Sequence, residues 1–260
     1  MIATPALLAA VEAVAEQAAV LVLEVYATDF AVLGKADASP VTLADERAEA
    51  CIVAALKRLT PEVPVVAEEA VSRGEVPAVG RRFWLVDPLD GTREFVSRNG
   101  EFTVNIALIE DGRPVLGVVQ VPVQGRRYAG LVGQGAWLAD ATGRRAIRSR
   151  AWPQQGELVV ASSRSHGDEA AMAAWLATAG LAGRALRHVA AGSSLKFGLV
   201  ASGDADLYPR LGRTMEWDTA AGHAVLRAAG GEVFTLAGTP LSYGKPGFEN
   251  PHFVARAAAA

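Results

Sequence analysis

Between residues 63 and 132 the chain reads as strands with little between them, and from about residue 157 it reads as strands and helices in turn. That change of rhythm limits the possible folds more than any other feature. Short apolar or β-branched runs at 63–67, 83–86, 102–109, 115–121 and 127–132 are separated by turn residues such as Glu110-Asp111-Gly112, the pattern of an antiparallel meander. Strand-like runs at 158–161, 185–189, 205–208 and 232–236 then alternate with helical ones at 169–178, 194–201 and 219–229, which favours a sheet with helical crossovers. The arginine-rich stretch 143–150 and the Trp152-Pro153 turn divide the two patterns. Two parts are therefore expected in one compact molecule, 1–150 and 151–260, each with its own sheet.

Two helices should precede the strands. Leu7, Val11, Val14, Ala18, Leu21 and Val25 make one apolar stripe, and Ala48, Ile52, Ala55, Leu56 and Leu59 make a second behind a capping box of Thr42 and Asp45. The four closing alanines read as a frayed end.

Composition removes several function classes. With 51% hydrophobic residues, 20% charged residues and a net charge of −3, the 260-residue chain can bury a core and has too little charge to stay expanded. One cysteine, Cys51, excludes a disulfide framework or a cysteine-rich zinc site, and the four histidines never fall in the close pairs of a histidine metal centre. A pI near 5.9 argues against general nucleic-acid binding. The alanine-rich start lacks a leading Lys or Arg and is interrupted by Glu12, Glu16 and Glu24, so it does not read as a secretory signal. No run approaches the 18 apolar residues of a membrane span, and the expectation is a soluble, cytoplasmic protein.

The chemistry concentrates in Trp84-Leu85-Val86-Asp87-Pro88-Leu89-Asp90-Gly91-Thr92, a buried strand that runs into two carboxylates, a proline and a glycine. Pro88 fixes its own φ and biases Asp87 toward extended backbone, while Gly91 permits a sharp turn, so both aspartates can converge beside the Leu89 carbonyl. Oxygen donors of this kind suit magnesium. Thr92 can open a helix whose free N–H groups would meet a phosphate; the plainer reading is an Asp-Pro turn with Asp90 as a cap. Glu68-Glu69 ends the strand 63–67, where adjacent acids are usually solvated, and Asp218 fits the N-cap of the helix that stops at Gly230-Gly231. His188 and His223 sit in apolar alternation and read as packed or surface residues, Gly133-Gln134-Gly135 as a hairpin turn, and the pairs Arg81-Arg82, Arg126-Arg127 and Arg144-Arg145 as solvated loop charges.

Taken in order, Glu68-Glu69, Asp87-Pro88-Leu89-Asp90-Gly91-Thr92 and Trp217-Asp218-Thr219-Ala220-Ala221 resemble the three metal-site motifs of the inositol monophosphatase superfamily of lithium-sensitive, magnesium-dependent phosphatases. The likeness covers nearly the whole chain. The stretches Lys35 to Thr42, Arg98 to Ala107 and Gly192-Ser193-Ser194-Leu195-Lys196-Phe197 bring it closest to the 3'(2'),5'-bisphosphate nucleotidase branch. The resemblance implies a layered αβαβα sandwich of the sugar-phosphatase type, α+β in its first half and α/β in its second, with an antiparallel sheet first and a mixed, mostly parallel sheet after it.

For the site, the resemblance implies one Mg2+ on Glu68, Asp87 and the Leu89 carbonyl, a second on Asp87, Asp90 and Asp218, and in some members a third on Glu68 and water. Four such carboxylates would repel by about 4 kcal/mol per pair at ~4 Å and an effective dielectric of ~20, a repulsion that cations turn into binding. It implies water activation by Thr92 with Asp45, although Asp45 serves equally as the capping residue above. Glu68 joins them in the catalytic set. Gly91, Thr92, His166, Ser193, Lys196, Arg210 and Asp218 are implied to bind substrate, with Lys196 and Arg210 suited to a second phosphate; Lys196 as a solvated charge and His166 as a loop residue are the plain alternatives.

The activity implied is removal of the 3'-phosphate of adenosine 3',5'-bisphosphate to give AMP, with 3'-phosphoadenylyl sulfate as a second substrate, in the nucleotide recycling of sulfur assimilation. Inositol monophosphatase and sugar bisphosphatase activities remain open as alternatives, and a non-catalytic nucleotide sensor is a remote one. The expected partner is a small nucleotide bisphosphate, with no nucleic acid and no integral membrane segment, on a monomer or homodimer. A peripheral place at the cytoplasmic face of the inner membrane, as in some related bacterial proteins, stays open.

Overall fold

The structure is a computed structural model that describes residues 3–28, 32–34, 40–153, 155–163 and 169–257. Helix α1 (Pro5–Tyr26) starts at Thr4, whose side chain accepts the Leu7 N–H at 3.1 Å, with proline in its first turn. A short antiparallel pair, β1 (Val32–Gly34) and β2 (Pro40–Thr42), leads into α2 (Leu43–Leu59). The buried stripe of α1 runs through Leu8, Val11, Val14, Ala15, Ala18, Val22 and Val25. Leu7 and Leu21 are only half-buried, because the helix is pressed on two sides, by α2 and by a sheet, and the buried face is wider than a single stripe. Leu59, also expected inside, is 41% exposed at the end of α2.

Contrary to the reading that no segment approaches a span, α1 is long and apolar enough to cross a membrane by length and composition, with a mean hydropathy of 1.9. Its surroundings are those of a core helix. Glu12 is buried and meets Arg127 and Arg144, each at 3.3 Å, across the adjoining sheet.

That sheet has seven strands. After β3 (Val65–Ala67) and the single turn α3 (Glu68–Ser72) come β4 (Arg82–Asp90), α4 (Thr92–Val96), β5 (Thr103–Glu110), β6 (Arg113–Val121), β7 (Arg126–Leu131), β8 (Gly135–Asp140) and β9 (Gly143–Ile147). The order is β3 to β9 without crossover, antiparallel except that β3 runs parallel to β4. Neither β8 nor β9 was legible from the apolar pattern, since four of the five residues of β9 are exposed. Of the arginine pairs expected as solvated loop charges, Arg82, Arg126, Arg127, Arg144 and Arg145 lie within strands, where Arg82 pairs with Glu110 and Arg145 with Asp140, while Arg81 just before β4 stays 83% exposed.

Alternation along β4 sends Trp84 and Val86 toward α1 and α2 and Phe83 and Leu85 toward the opposite face. On that face lie two of the three α-helices described in the second half, which contains β10 (Leu158–Ser162), α5 (Glu169–Thr178), β11 (Leu186–Ala190), α6 (Leu195–Ala201), β12 (Leu207–Arg210), α7 (Glu216–Ala228), β13 (Gly231–Thr235) and β14 (Phe253–Ala257); the two are α6 and α7. Its sheet has the order β11-β10-β12-β14-β13, parallel across the first three and antiparallel on both sides of β14, which the sequence reading missed. The layers are α1 and α2, the seven-stranded sheet, α6 and α7, the five-stranded sheet, and an outer cluster including Trp175 of α5. α7 lies flat on the large sheet because Gly117 has no side chain: a Cβ there would stand 2.4 Å from the Ala221 carbonyl oxygen.

Candidate active site

Three segments from distant parts of the chain end at one cavity. β4 delivers Asp87 and Asp90, but its ladder with β5 shifts register between them, where Pro88 has no N–H to offer. The Asp87 carboxylate accepts the Leu89 N–H at 3.0 Å, which folds this bulge back on itself. Gly91, at φ 92°, then reverses the chain into α4 so that Thr92 opens the helix at the cavity wall. α3 begins with Glu68. Asp218 stands in the first turn of α7 and not at its cap: Met215 is the cap residue, and the Asp218 carboxylate reaches back to accept its N–H at 2.9 Å.

One carboxylate oxygen from each of Glu68, Asp87 and Asp218 falls within 4.8 Å of the others. Asp87 is only 1% exposed. Burial, then the charges of Glu68, Asp90, Asp218 and Asp45, push its acid well above the usual range; burial followed by Asp90 and Glu68 does the same to Asp218. Anions crowded this way, with hard oxygen donors and no thiol or imidazole among them, are the donor set of a magnesium-type cation.

The cavity, about 210 Å³, is lined by Glu68, Asp87, Asp90 and Asp218 and by Leu89, Gly91, Thr92, Ser163, Ser193, Lys196, Tyr208 and Arg210. Lys196 is 3% exposed, which removes the solvated-charge reading. Its Nζ donates to the carbonyls of Ser193 at 2.6 Å and Ala191 at 3.1 Å, and burial pulls it down to about 8. Arg210 donates to the Arg213 carbonyl at 3.2 Å, while its buried Nε has no hydrogen-bond partner among the described residues. Asp45 is buried in the first turn of α2, close enough for its charge to act on Asp87. His166 and the stretch Lys35–Ser39 lie outside the described residues.

Several neighbours escaped the sequence reading. Asn105 and Thr103 on β5 and Ser194 before α6 surround Asp90, and Glu49, one turn after Asp45, accepts the Glu69 N–H at 2.7 Å at the start of α3. The available signals were a polar Asn105 inside an apolar strand and a Glu49 four residues from Asp45 on the same helix face. His223 takes no part in the site: it is buried behind α7 between Tyr243 and Glu232.

A chain folded this way around such a cluster is a member of the inositol monophosphatase family, whose family description matches residues 4–259. Among its relatives, the 3'(2'),5'-bisphosphate nucleotidase CysQ of Escherichia coli strain K12 is 50% identical over 223 residues, 85% of this chain and 87% of the relative. The nucleotidase of the same name from Aggregatibacter actinomycetemcomitans is 35% identical over 97% of this chain and 93% of its own. The crystal structure of CysQ from Bacteroides thetaiotaomicron superposes with a TM-score of 0.80 at 37% identity, covering 97% of each chain. An inositol monophosphatase from Zymomonas mobilis superposes at 0.75 with 27% identity, over 96% of this chain and 91% of that one.

Proposed function

We propose that this protein is a magnesium-dependent phosphomonoesterase that hydrolyses the 3'-phosphate of adenosine 3',5'-bisphosphate to AMP and phosphate, and acts on 3'-phosphoadenylyl sulfate in the same way. The observation that carries this reading is the make-up of one cavity, whose wall combines a carboxylate cluster with the buried Lys196 and with Arg210. A nucleotide with two phosphates has a place for each. The nucleotidase relatives support the same choice of substrate.

Glu68, Asp87 and the Leu89 carbonyl would hold one Mg2+, Asp87, Asp90 and Asp218 a second, and Glu68 a third. Bound there, magnesium neutralises phosphate charge and acidifies an attacking water. Thr92 Oγ1 and the Asp45 carboxylate are assigned to orient that water and take up its proton. The amides of Gly91 and Thr92, at the start of α4, are assigned to the phosphate being cleaved, and Lys196 Nζ and the Arg210 guanidinium to the 5'-phosphate. Ser193, at φ 41°, lines the same cavity and donates its hydroxyl to the Glu101 carbonyl at 2.8 Å. The half-buried, unbridged Cys51 agrees with a cytoplasmic place for the protein.

Phosphate release from adenosine 3',5'-bisphosphate, inositol 1-phosphate and fructose 1,6-bisphosphate, with Mg2+, with chelator and with lithium, tests the proposal. The nucleotide should be cleaved fastest, and only with metal. A preference for inositol phosphate would refute the substrate; tight nucleotide binding without phosphate release would make the protein a sensor.

A further inference from the structure

We infer that Ser194 is a positioning residue for the metal centre: it locks the Asp90 carboxylate of the first sheet to the helix that carries Asp218, and so sets the separation the cation must bridge. The inference rests on the reading of Asp87, Asp90 and Asp218 as magnesium ligands.

Ser194 begins α6, where a serine ordinarily turns its hydroxyl onto the N–H groups of its own first turn. Here it makes no such cap. Its hydroxyl lies 2.5 Å from the Asp218 carbonyl oxygen and 2.9 Å from Asp90 Oδ2, and its backbone N–H donates to the same Oδ2 at 2.6 Å. The Asn105 amide donates to Ser194 Oγ at 3.0 Å and to Asp90 Oδ2 at 3.4 Å, where the Thr103 hydroxyl also donates. All of these bonds to Asp90 fall on Oδ2, so Oδ1 is the oxygen left for a cation.

The arrangement is buried and joins distant parts of the chain. Ser194 is 2% exposed and Asn105 is fully buried. Asp90 lies 104 residues from Ser194 in the chain and Asp218 lies 24, so the hydroxyl is where strand β4, helix α6 and helix α7 meet. One hydroxyl proton serves two acceptors, the Asp218 carbonyl and Asp90, while the oxygen accepts from Asn105. Hydrogen bonds that orient a ligating carboxylate in this way typically change metal affinity by tenfold or more when removed.

The test is calorimetric titration of Mg2+ into the metal-free full chain for the parent, Ser194→Ala and Ser194→Cys, with urea unfolding of each metal-free protein. Cysteine nearly preserves the volume but donates weakly, so it stands in if alanine impairs folding. Both variants should bind Mg2+ about tenfold more weakly while remaining folded before metal is added, with unfolding midpoints lowered by the loss of a buried hydrogen-bond partner. The Mg2+ concentration for half-maximal turnover should rise by the same factor, while kcat at saturating Mg2+ recovers. Parent-like Mg2+ affinity in either folded variant overturns the inference, and lost stability with unchanged affinity does so too by making the serine a packing element. A parent that binds no Mg2+ overturns the metal-centre reading itself.

Discussion

Asp45 illustrates how far single residues can be read. From sequence it was equally a helix cap and a proton acceptor; in the structure it is buried, and its charge bears on Asp87. Replacing it by Asn relieves one repulsion inside a crowded anion cluster, so stability should not fall. We expect Asp45→Asn to lower turnover by about 100-fold or more, the usual scale for a lost proton acceptor, with an unchanged unfolding midpoint. Undiminished turnover would remove Asp45 from the reaction. The acids were legible because Asp87, Pro88, Asp90 and Gly91 are neighbours in sequence. Asn105, Ser194 and Glu49 were not, because their role depends on register and on which chain segments meet, which residue type alone does not carry.

At the level of elements, α7 sets the position of Asp218, and Gly117 sets the position of α7. A Cβ at 117 would meet the Ala221 carbonyl at 2.4 Å and the Ala224 side chain at 2.7 Å, and helix backbone cannot step aside as a side chain can. Gly117→Ala should therefore destabilise the fold by about 1–3 kcal/mol in urea unfolding and weaken Mg2+ binding as Asp218 shifts. Gly80→Ala, whose Cβ would meet nothing within 4 Å, should change neither. If Gly117→Ala keeps parent stability, the close contact of helix and sheet does not hold the site. Helix α1 was legible from its apolar stripe and strands β4 to β6 as continuous apolar runs, since the one buries a regular face and the others are buried on both. β9 and β14 were not: one is an exposed, arginine-bearing edge, and the other is inserted between strands that precede it in the chain.

For the whole molecule, the net charge of −3 conceals its distribution. Two magnesium ions would carry it to about +1. Away from the cavity, Glu232 already has Arg113 and Arg227 beside it, so His223 need not be charged. Its Nε2–H donates to Glu232, its Nδ1 accepts from the Tyr243 hydroxyl at 2.9 Å, and burial lowers it to about 4. An unfolded histidine holds its proton up to about 6.5, so the unfolded chain binds more protons between about 6.5 and 4, and stability drops as pH falls through that window. In metal-free protein, His223→Gln should lose part of this acid destabilisation between pH 7 and pH 5; an identical acid slope would contradict the neutral imidazole. Selection of a second phosphate depends on Lys196 and Arg210, which line the same cavity as the carboxylates proposed for cleavage. The measurement is kcat/KM for adenosine 3',5'-bisphosphate against adenosine 3'-monophosphate, in the parent and in a Lys196→Met, Arg210→Ala double variant. The parent should prefer the bisphosphate by about 100-fold, on the order of two charge-assisted contacts, and the double variant should lose that preference while still cleaving the monophosphate. Equal use of both nucleotides by the parent, or an unchanged ratio in the variant, would contradict it.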